Sequence, residues 1–213
     1  MKFLKNIFAA FVLLLPVLAS TQAYAEPVMG TDYKLIEPAQ ATSSGNKIEV
    51  LEFFFYGCSH CFHLHPELTA WEKKMPKDVD LVLVPTIFNT GWEPMAYTYY
   101  ALEALGQNRK LHNDLYDAWN VKNIDLSDES KIAAFVSQHG VDGKKFSDAY
   151  HSFGVQSKVT RSKQLTQTYG IRGTPTLIVD GKYLITGLQP AAAVKVLSEL
   201  VEKARKERHA SKR

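Results

Sequence analysis

Cysteine is scarce in this sequence: Cys58 and Cys61 are the only two in 213 residues. Secreted proteins that depend on disulfides for stability usually carry several cysteines in a short chain. A bridge between residues so close in sequence closes a very small loop, which removes little entropy from the unfolded chain. A purely structural disulfide is therefore a weak explanation for this pair.

Clustered positive charge is also largely missing. The formal net charge is +3 and falls to +1 without the first 25 residues, whereas proteins that bind nucleic acid need a concentrated basic face. The one basic cluster runs from Lys203 to Arg213, and this pattern favours a frayed, solvated helix end. We therefore predict no nucleic-acid partner.

Long hydrophobic runs are absent apart from one near the start. The run Ile7 to Leu18 follows a positively charged beginning and precedes the small-x-small sequence Ala23 to Ala25. This layout predicts a cleaved secretory signal peptide over residues 1–25, and the run is too short to span a bilayer. An uncleaved membrane anchor is the alternative. We expect a soluble mature protein that begins near Glu26.

The rest of the chain alternates between strand and helix patterns. Nearly continuous apolar runs predict strands, and apolar residues at helical spacing predict helices. The Asp180–Gly181 dipeptide indicates a hairpin turn, and Pro66 should kink the helix that contains it. Ser127 and Asp142 are predicted N-caps. The predicted strands are 33–36, 47–56, 79–85, 176–179 and 182–186, and the predicted helices are 59–75, 94–105, 109–119, 128–139, 143–150, 154–169 and 191–206.

The strand–helix–strand order at the beginning indicates a right-handed crossover on a parallel pair. The four helices that follow predict a compact insertion with a small core of its own. The predicted division is a signal peptide at 1–25, the first part of an α/β domain at 26–92, a helical insertion at 93–154 and the second part of the α/β domain at 155–213.

The cysteine pair lies where the strongest predicted strand passes into a helix. Cys58 should therefore lie at the helix N-terminus, where free backbone donors and the helix dipole favour a thiolate. Thiolates attack disulfides, so Cys58 is the candidate attacking residue and Cys61, deeper on the same helix face, the candidate resolving residue. His60 between them would stabilise the thiolate if its imidazole is protonated. The alternative is that His60 is an exposed spacer.

Glu52 is the polar residue inside the apolar run of the central predicted strand. A buried carboxylate is unfavourable unless it is paired or protonated. Glu52 is therefore a candidate for handling the proton of Cys61. The alternative is a carboxylate that reaches water at the edge of the sheet.

Thr174 and Pro175 stand directly before a predicted strand. Proline cannot donate a backbone hydrogen bond to the sheet, so its position is restricted. If the peptide bond is cis, Thr174 presents its backbone N–H and C=O sideways, and a substrate strand could pair with them next to Cys58.

Metal binding is a competing use of the cysteine segment. Cys58, His60, Cys61, His63 and His65 offer donors suited to copper or zinc. One helical turn cannot bring them all into one ligand sphere, and the sequence has no second cysteine pair. The residue after Cys61 is not the histidine that covalent haem attachment requires. We therefore predict no metal and no cofactor, with a copper-binding protein kept as an alternative.

Together these features resemble the thioredoxin superfamily and, within it, the DsbA-type periplasmic dithiol oxidases. The segments that carry the resemblance are Val50–Phe54, Cys58–Cys61 and Gly170–Pro175, with Pro66 and the helical insertion in the expected order. The resemblance covers nearly the whole mature chain. It implies an α/β thioredoxin-like fold, with a central mixed sheet, flanking helices and an all-helical insertion.

The resemblance also implies a function in the periplasm. The Cys58–Cys61 disulfide would be donated to reduced exported proteins through a mixed disulfide at Cys58, with Ser59, Thr174 and Pro175 at the substrate. A membrane quinone-linked, DsbB-type partner would reoxidise the pair, and we expect a monomer. Ser59 and Thr174 differ from the proline and valine commonest at these positions, and both bear on redox potential. A reductase or isomerase on the same fold is the alternative.

Overall fold

The structure is a computed structural model, and it describes residues 26–211. The predicted signal peptide lies outside these residues. No helix in the described range is both long and apolar enough to cross a membrane. The elements are β1 (Lys34–Leu35), β2 (Ile48–Phe54), α1 (Ser59–Glu72), β3 (Val79–Pro85), a 3₁₀ turn (Thr90–Trp92), α2 (Glu93–Ala104), α3 (Asn108–Asn120), α4 (Glu129–Gln138), α5 (Gly143–Tyr150), α6 (Phe153–Thr168), β4 (Thr176–Val179), β5 (Tyr183–Thr186) and α7 (Pro190–Ala210).

The five strands form one mixed sheet in the order β1-β5-β4-β2-β3. β2 runs parallel to β3 and antiparallel to β4, so it has a partner on each side. Every residue of β2 is buried, as the continuous apolar run predicts for a strand covered on both faces. The thioredoxin-like fold predicted from the sequence is confirmed. The central strand thus ends at the cysteine pair.

The two faces of β2 pack against different helices. Ile48 and Val50 share a cluster with Leu64 of α1 and Leu197 of α7. Leu51 and Phe53 instead share a cluster with Tyr169 and its neighbours after α6. This alternation follows from the two-residue period of a strand, and it assigns Glu52 and Phe54 to the α1 side.

The helical insertion does not have a core of its own. Phe54, Phe55, Tyr56 and Cys61 belong to the same buried cluster as the apolar residues of α2 to α6. The prediction of a separate core is therefore wrong, because the apolar run of β2 continues beyond its last sheet partner and into the helices. The boundaries 26–92, 93–154 and 155–213 stay a prediction.

The end of α7 also differs from the prediction. The helix continues to Ala210, and its arginines hold it to the sheet rather than fraying into solvent. Arg205 lies 2.6 Å from the carboxylate of Asp78, and Arg208 forms an ion pair with the buried Asp180. The N-cap of α4 is Asp128 and not Ser127, whereas Asp142 caps α5 as predicted.

The hairpin turn between β4 and β5 requires glycine for two reasons. Asp180 and Gly181 both have positive φ, at 53° and 67°, as the Asp-Gly signal predicts. A Cβ at Gly181 would lie 2.1 Å from the carbonyl oxygen of Gln40. At Gly170, with φ of 58°, a Cβ would meet nothing within 4 Å.

We therefore expect Gly181→Ala to reduce the free energy of unfolding by about 3 kcal/mol, since backbone strain and overpacking add. Gly170→Ala is the matched control, because it carries only the backbone strain of about 1 kcal/mol. Urea unfolding of both variants measures the difference. Equal losses would contradict the close approach to Gln40.

Candidate active site

The two cysteines occupy the first turn of α1. Cys58 is the N-cap residue, and its sulfur accepts a hydrogen bond from the backbone N–H of Cys61 at 3.5 Å. Both are free thiols. Gly57 precedes them because a Cβ there would lie 2.5 Å from the ring of Phe55 and 2.7 Å from that of Trp119. The chain can therefore turn from β2 into α1 under these rings only at glycine.

The surroundings of the two thiols separate their pKa values. A hydrogen bond from the Cys61 thiol lowers the pKa of Cys58 to about 5, helped by the Thr174 side chain and by the backbone N–H groups of Cys61 and His60, against the opposing effect of burial. Burial raises the pKa of Cys61, which is fully enclosed. The predicted contrast between a half-exposed Cys58 and a shielded Cys61 is confirmed.

His60 contributes to this first turn mainly through its backbone. Its N–H is among the groups that lower the pKa of Cys58, and its imidazole is not. The imidazole is exposed, as is the side chain of Ser59. The electrostatic role predicted for the His60 side chain thus stays a prediction.

The peptide bond between Thr174 and Pro175 is cis. It brings Thr174 beside the cysteine pair, where the Cys58 sulfur lies 3.3 Å from the Thr174 carbonyl oxygen and donates a hydrogen bond to it when protonated. These two residues are 116 positions apart in the chain. The fold therefore brings the Cys58–Cys61 and Thr174–Pro175 segments together.

A groove of about 450 Å³ runs beside this contact. Its walls come from α1, the cis-proline loop and the segment between β5 and α7. The lining combines apolar and polar residues. Residues of the groove include His60, His63, Thr174, Pro175, Ile185 and Leu188. This end of the molecule can accept an extended chain next to the reactive sulfur.

Glu52 lies under the cysteines at the centre of the sheet, paired in register with Leu83 and Leu177. Its side chain is 1% exposed, so the alternative of a carboxylate reaching water at the sheet edge is wrong. Burial raises the pKa of Glu52 to about 8, with smaller contributions from the charges of Glu72 and Cys58. The carboxyl is therefore largely protonated at neutral pH.

Several aromatic residues at the site were not predicted from the sequence. Trp92 stacks on Phe55 with 3.8 Å between ring centroids, and Trp119 contacts the same ring edge-on. His112 and Tyr116 of α3 cover the strand end near Tyr56. The even spacing of Glu52, Phe54 and Tyr56 could have indicated a shared face. No local pattern identifies which helix covers it.

The histidines after the cysteines do not assemble into a metal site. His65 Nε2 lies 2.5 Å from the side-chain oxygen of Asn113, while His63 lines the groove. Within residues 26–211, no three His, Cys, Asp or Glu side chains converge closely enough to hold a metal ion. The side chains in this segment are thus committed to different neighbours.

Known proteins resemble this chain in sequence and in structure. The family model of the DSBA-like thioredoxin domain matches residues 64–197, which begin just after the cysteine pair. The thiol:disulfide interchange protein DsbA of Burkholderia cepacia is 39% identical over 160 residues, which are 75% of this chain and 76% of that protein. The protein of the same name from Pseudomonas aeruginosa PAO1 is 30% identical over 206 residues, at 95% and 98% coverage.

Solved structures of proteins named DsbA are also similar to this chain. The crystal structure of the oxidoreductase DsbA from Xylella fastidiosa matches with a TM-score of 0.81 and 30% identity, over 85% of this chain and all of that one. The crystal structure of Pseudomonas aeruginosa DsbA matches with a TM-score of 0.81 and 32% identity, over 88% and 97% of the two chains.

In the reduced protein we expect Cys58 to react with iodoacetamide with a midpoint near pH 5. Cys61→Ala should raise this midpoint because it removes the strongest hydrogen bond to the sulfur. His60→Gln, the matched control, keeps the backbone N–H and should shift the midpoint less. A midpoint near the free-thiol value of about 8.5, or a larger shift in His60→Gln, would contradict these assignments.

Glu52→Gln should stabilise the reduced protein as pH rises. The folded-state pKa of about 8 lies above the ordinary 4.5, so the folded protein holds an extra proton in that interval and loses stability as pH increases through it. The gain from Glu52→Gln should grow by about 3 kcal/mol between pH 4.5 and pH 7, by urea unfolding.

Glu49→Gln is the control for this experiment. Glu49 is buried on the same strand, but its carboxylate accepts hydrogen bonds from the backbone N–H and hydroxyl of Ser43, at 2.8 and 2.6 Å. Its substitution should destabilise the protein. A Glu52→Gln variant no more stable than the parent at pH 7 would show that the carboxyl of Glu52 is not held protonated.

Proposed function

The chain belongs to the DsbA-like thioredoxin family, and we propose that Cys58 and Cys61 are the redox centre through which it oxidises dithiols in exported proteins. Members of this family are thiol:disulfide oxidoreductases, and so is this protein. The observation that carries the assignment is the position of the Cys58 sulfur. It is half-exposed, has a lowered pKa and lies 3.3 Å from the backbone of the cis-proline loop.

The proposed reaction begins from the Cys58–Cys61 disulfide. A substrate thiolate attacks Cys58, the disulfide breaks, and the electron pair passes to Cys61, which takes up a proton. A second substrate thiolate then attacks the substrate sulfur of the mixed disulfide and releases Cys58 as a thiolate. The substrate loses two electrons and gains a disulfide, and the enzyme becomes a dithiol.

The direction of transfer follows from the Cys58 thiolate. A thiolate that is stable at neutral pH favours the reduced enzyme, so the enzyme disulfide is readily given away. A pKa of about 5 is about two units below neutral pH, which corresponds to about 60 mV of added oxidising strength for a two-electron couple. This favours an oxidase over the alternative of a reductase or isomerase.

Substrate binding is assigned to Ser59, Thr174 and Pro175. An extended substrate segment would pair with the backbone of Thr174, taking over the carbonyl oxygen from the Cys58 thiol, and the groove beside Pro175 would take its side chains. Ser59 is exposed beside the attacking sulfur and would contact the residue next to the substrate cysteine. Ile185 and Leu188 in the groove would take hydrophobic side chains, which unfolded chains expose.

Glu52 is the proposed proton donor and acceptor for Cys61. The two residues interact electrostatically within the buried region, and the raised pKa of Glu52 keeps a proton available at neutral pH. A leaving thiolate in this enclosed position would otherwise be strongly unfavourable.

The proposed location is the bacterial periplasm. Residues 1–25 would direct export and then be cleaved. Reduced exported proteins would be the substrates, and a membrane quinone-linked partner of the DsbB type would restore the disulfide. We further propose a monomer that needs no metal or cofactor. A division into 26–92, 93–154 and 155–213 remains part of this proposal.

Two measurements test this function. Equilibration with glutathione should give a reduction potential well above about −270 mV, the value typical of thioredoxin-type reductants. Cys61→Ser, with Cys58 first converted to its mixed disulfide with thionitrobenzoate, should form a stable mixed disulfide with a single-cysteine unfolded peptide as the peptide thiolate displaces thionitrobenzoate, and Cys58→Ser treated in the same way should form none. A potential close to that of thioredoxins, or trapping through Cys61, would remove the oxidase assignment.

A further inference from the structure

Three buried polar atoms near the active site have no hydrogen-bond partner within the described part of the chain. They are Glu52 Oε1, His112 Nε2 and Tyr116 Oη. Buried polar atoms in folded proteins are normally bonded to protein or to ordered water. The reaction described above uses Glu52 but assigns nothing to His112 or Tyr116.

The three atoms belong to side chains that meet on one face of β2 and its extension. Glu52 and Phe54 alternate on β2 and share a face, and the ring of Tyr56, in the turn that follows, lies 5.2 Å from that of Phe54. His112 and Tyr116 are four residues apart on α3 and therefore share a helix face. The rings of His112 and Tyr116 lie 5.1 and 5.0 Å from that of Tyr56.

His112 is held in one orientation by Tyr56. The Tyr56 hydroxyl lies 2.7 Å from His112 Nδ1, and the histidine is only 8% exposed. Burial lowers the pKa of His112 to about 3, so the ring is neutral, with one donor and one acceptor nitrogen. When the Tyr56 hydroxyl donates to Nδ1, the ring proton lies on Nε2, and when the hydroxyl accepts from Nδ1, Nε2 is an acceptor; in both cases Nε2 is the ring nitrogen without a protein partner.

Glu52 and His112 both line a cavity of about 570 Å³. The cavity follows the side of α1 that carries His65 and Glu72, and it shares no lining residue with the groove beside Pro175. Near its outer end Glu72 is 2.7 Å from the guanidinium of Arg109, which is largely exposed. The cavity therefore offers Glu52 a route to solvent that does not pass through the substrate groove.

We propose that His112, oriented by Tyr56, positions the water through which Glu52 exchanges its proton with solvent along this cavity. The inference rests on the proposed function, in which Glu52 supplies the proton of Cys61. While a substrate is joined to Cys58 in the mixed disulfide, it covers the groove, and Cys61 is fully enclosed. Solvent protons therefore cannot reach Cys61 from the groove side, whereas the cavity beside His112 stays open. His112 is thus a positioning residue for the proton transfer and not a catalytic one.

The experiment follows the carboxyl band of Glu52 by rapid-mixing infrared spectroscopy after transfer of the protein into D₂O. Glu52→Gln assigns the band by removing it. His112→Phe keeps a flat ring but removes both nitrogens, and we expect it to slow the COOH-to-COOD exchange by about tenfold or more. Backbone amide exchange around β2 should be unchanged, which separates this effect from a general opening of the fold.

Two further variants make the test independent of the folding of His112→Phe. His112→Gln keeps a donor close to the position of Nε2 and should retain most of the parent exchange rate. Tyr56→Phe frees the imidazole and should give an intermediate rate. Parent rates in both His112→Phe and Tyr56→Phe would overturn the proposal, and so would equal slowing in His112→Phe and His112→Gln.

The route itself is tested in the Cys61→Ser variant joined to a peptide through Cys58. Exchange at Glu52 should be as fast with the peptide as without it, since the peptide covers only the groove. Slowing by the peptide would assign exchange to the groove and overturn the proposal. These measurements need no turnover, so a protein that fails to oxidise its substrates would remove the proposed function and leave this result to stand or fall separately.

Discussion

The site depends on the hydrogen bond that the buried thiol of Cys61 donates to the sulfur of Cys58. It is the largest influence lowering the pKa of Cys58, and it exists only because Cys61 is enclosed and keeps its proton. Cys58 can be a thiolate because Cys61 keeps its proton. The N-cap geometry and the backbone donors increase the pKa difference between Cys58 and Cys61 that burial creates.

Both the end of β2 and the inserted helices are needed to enclose Cys61. Cys61 belongs to the cluster that joins the end of β2 to the inserted helices, so the insertion contributes directly to the chemistry. Trp119 of α3 closes over Gly57, and Trp92 stacks on Phe55 beside it. The same burial that protects Cys61 makes Glu52 hold its proton. The pKa values of Cys61 and Glu52 are thus raised while that of Cys58 is lowered, a separation of pKa values typical of sites that move protons.

Much of this arrangement could be predicted from the sequence because its signals are local. The apolar run of β2, the cysteines at a helix start and the Asp-Gly turn each follow from the properties of neighbouring residues. The position of Pro175 allowed a hypothesis that Thr174 lies next to Cys58, but no local pattern predicts a contact between residues 116 positions apart. The ion pair of Arg208 could not be predicted from neighbouring residues. Its lysine- and arginine-rich surroundings indicate a solvated helix end, and only the tertiary fold brings it to the buried Asp180.

The environment of Glu52, including its cover by α3, could not be predicted from the neighbouring residues. A lone carboxyl in an apolar strand has two stable outcomes, exposure at a sheet edge or protonation in the interior, and strand order decides between them. Placing β2 between β3 and β4 selects the interior. The proposed proton transfer to Cys61 requires the helix above to leave Glu52 a path to solvent, because a fully sealed acid could not regain its proton repeatedly. Polar groups on α3, a helix that looks ordinary in sequence, are consistent with that requirement.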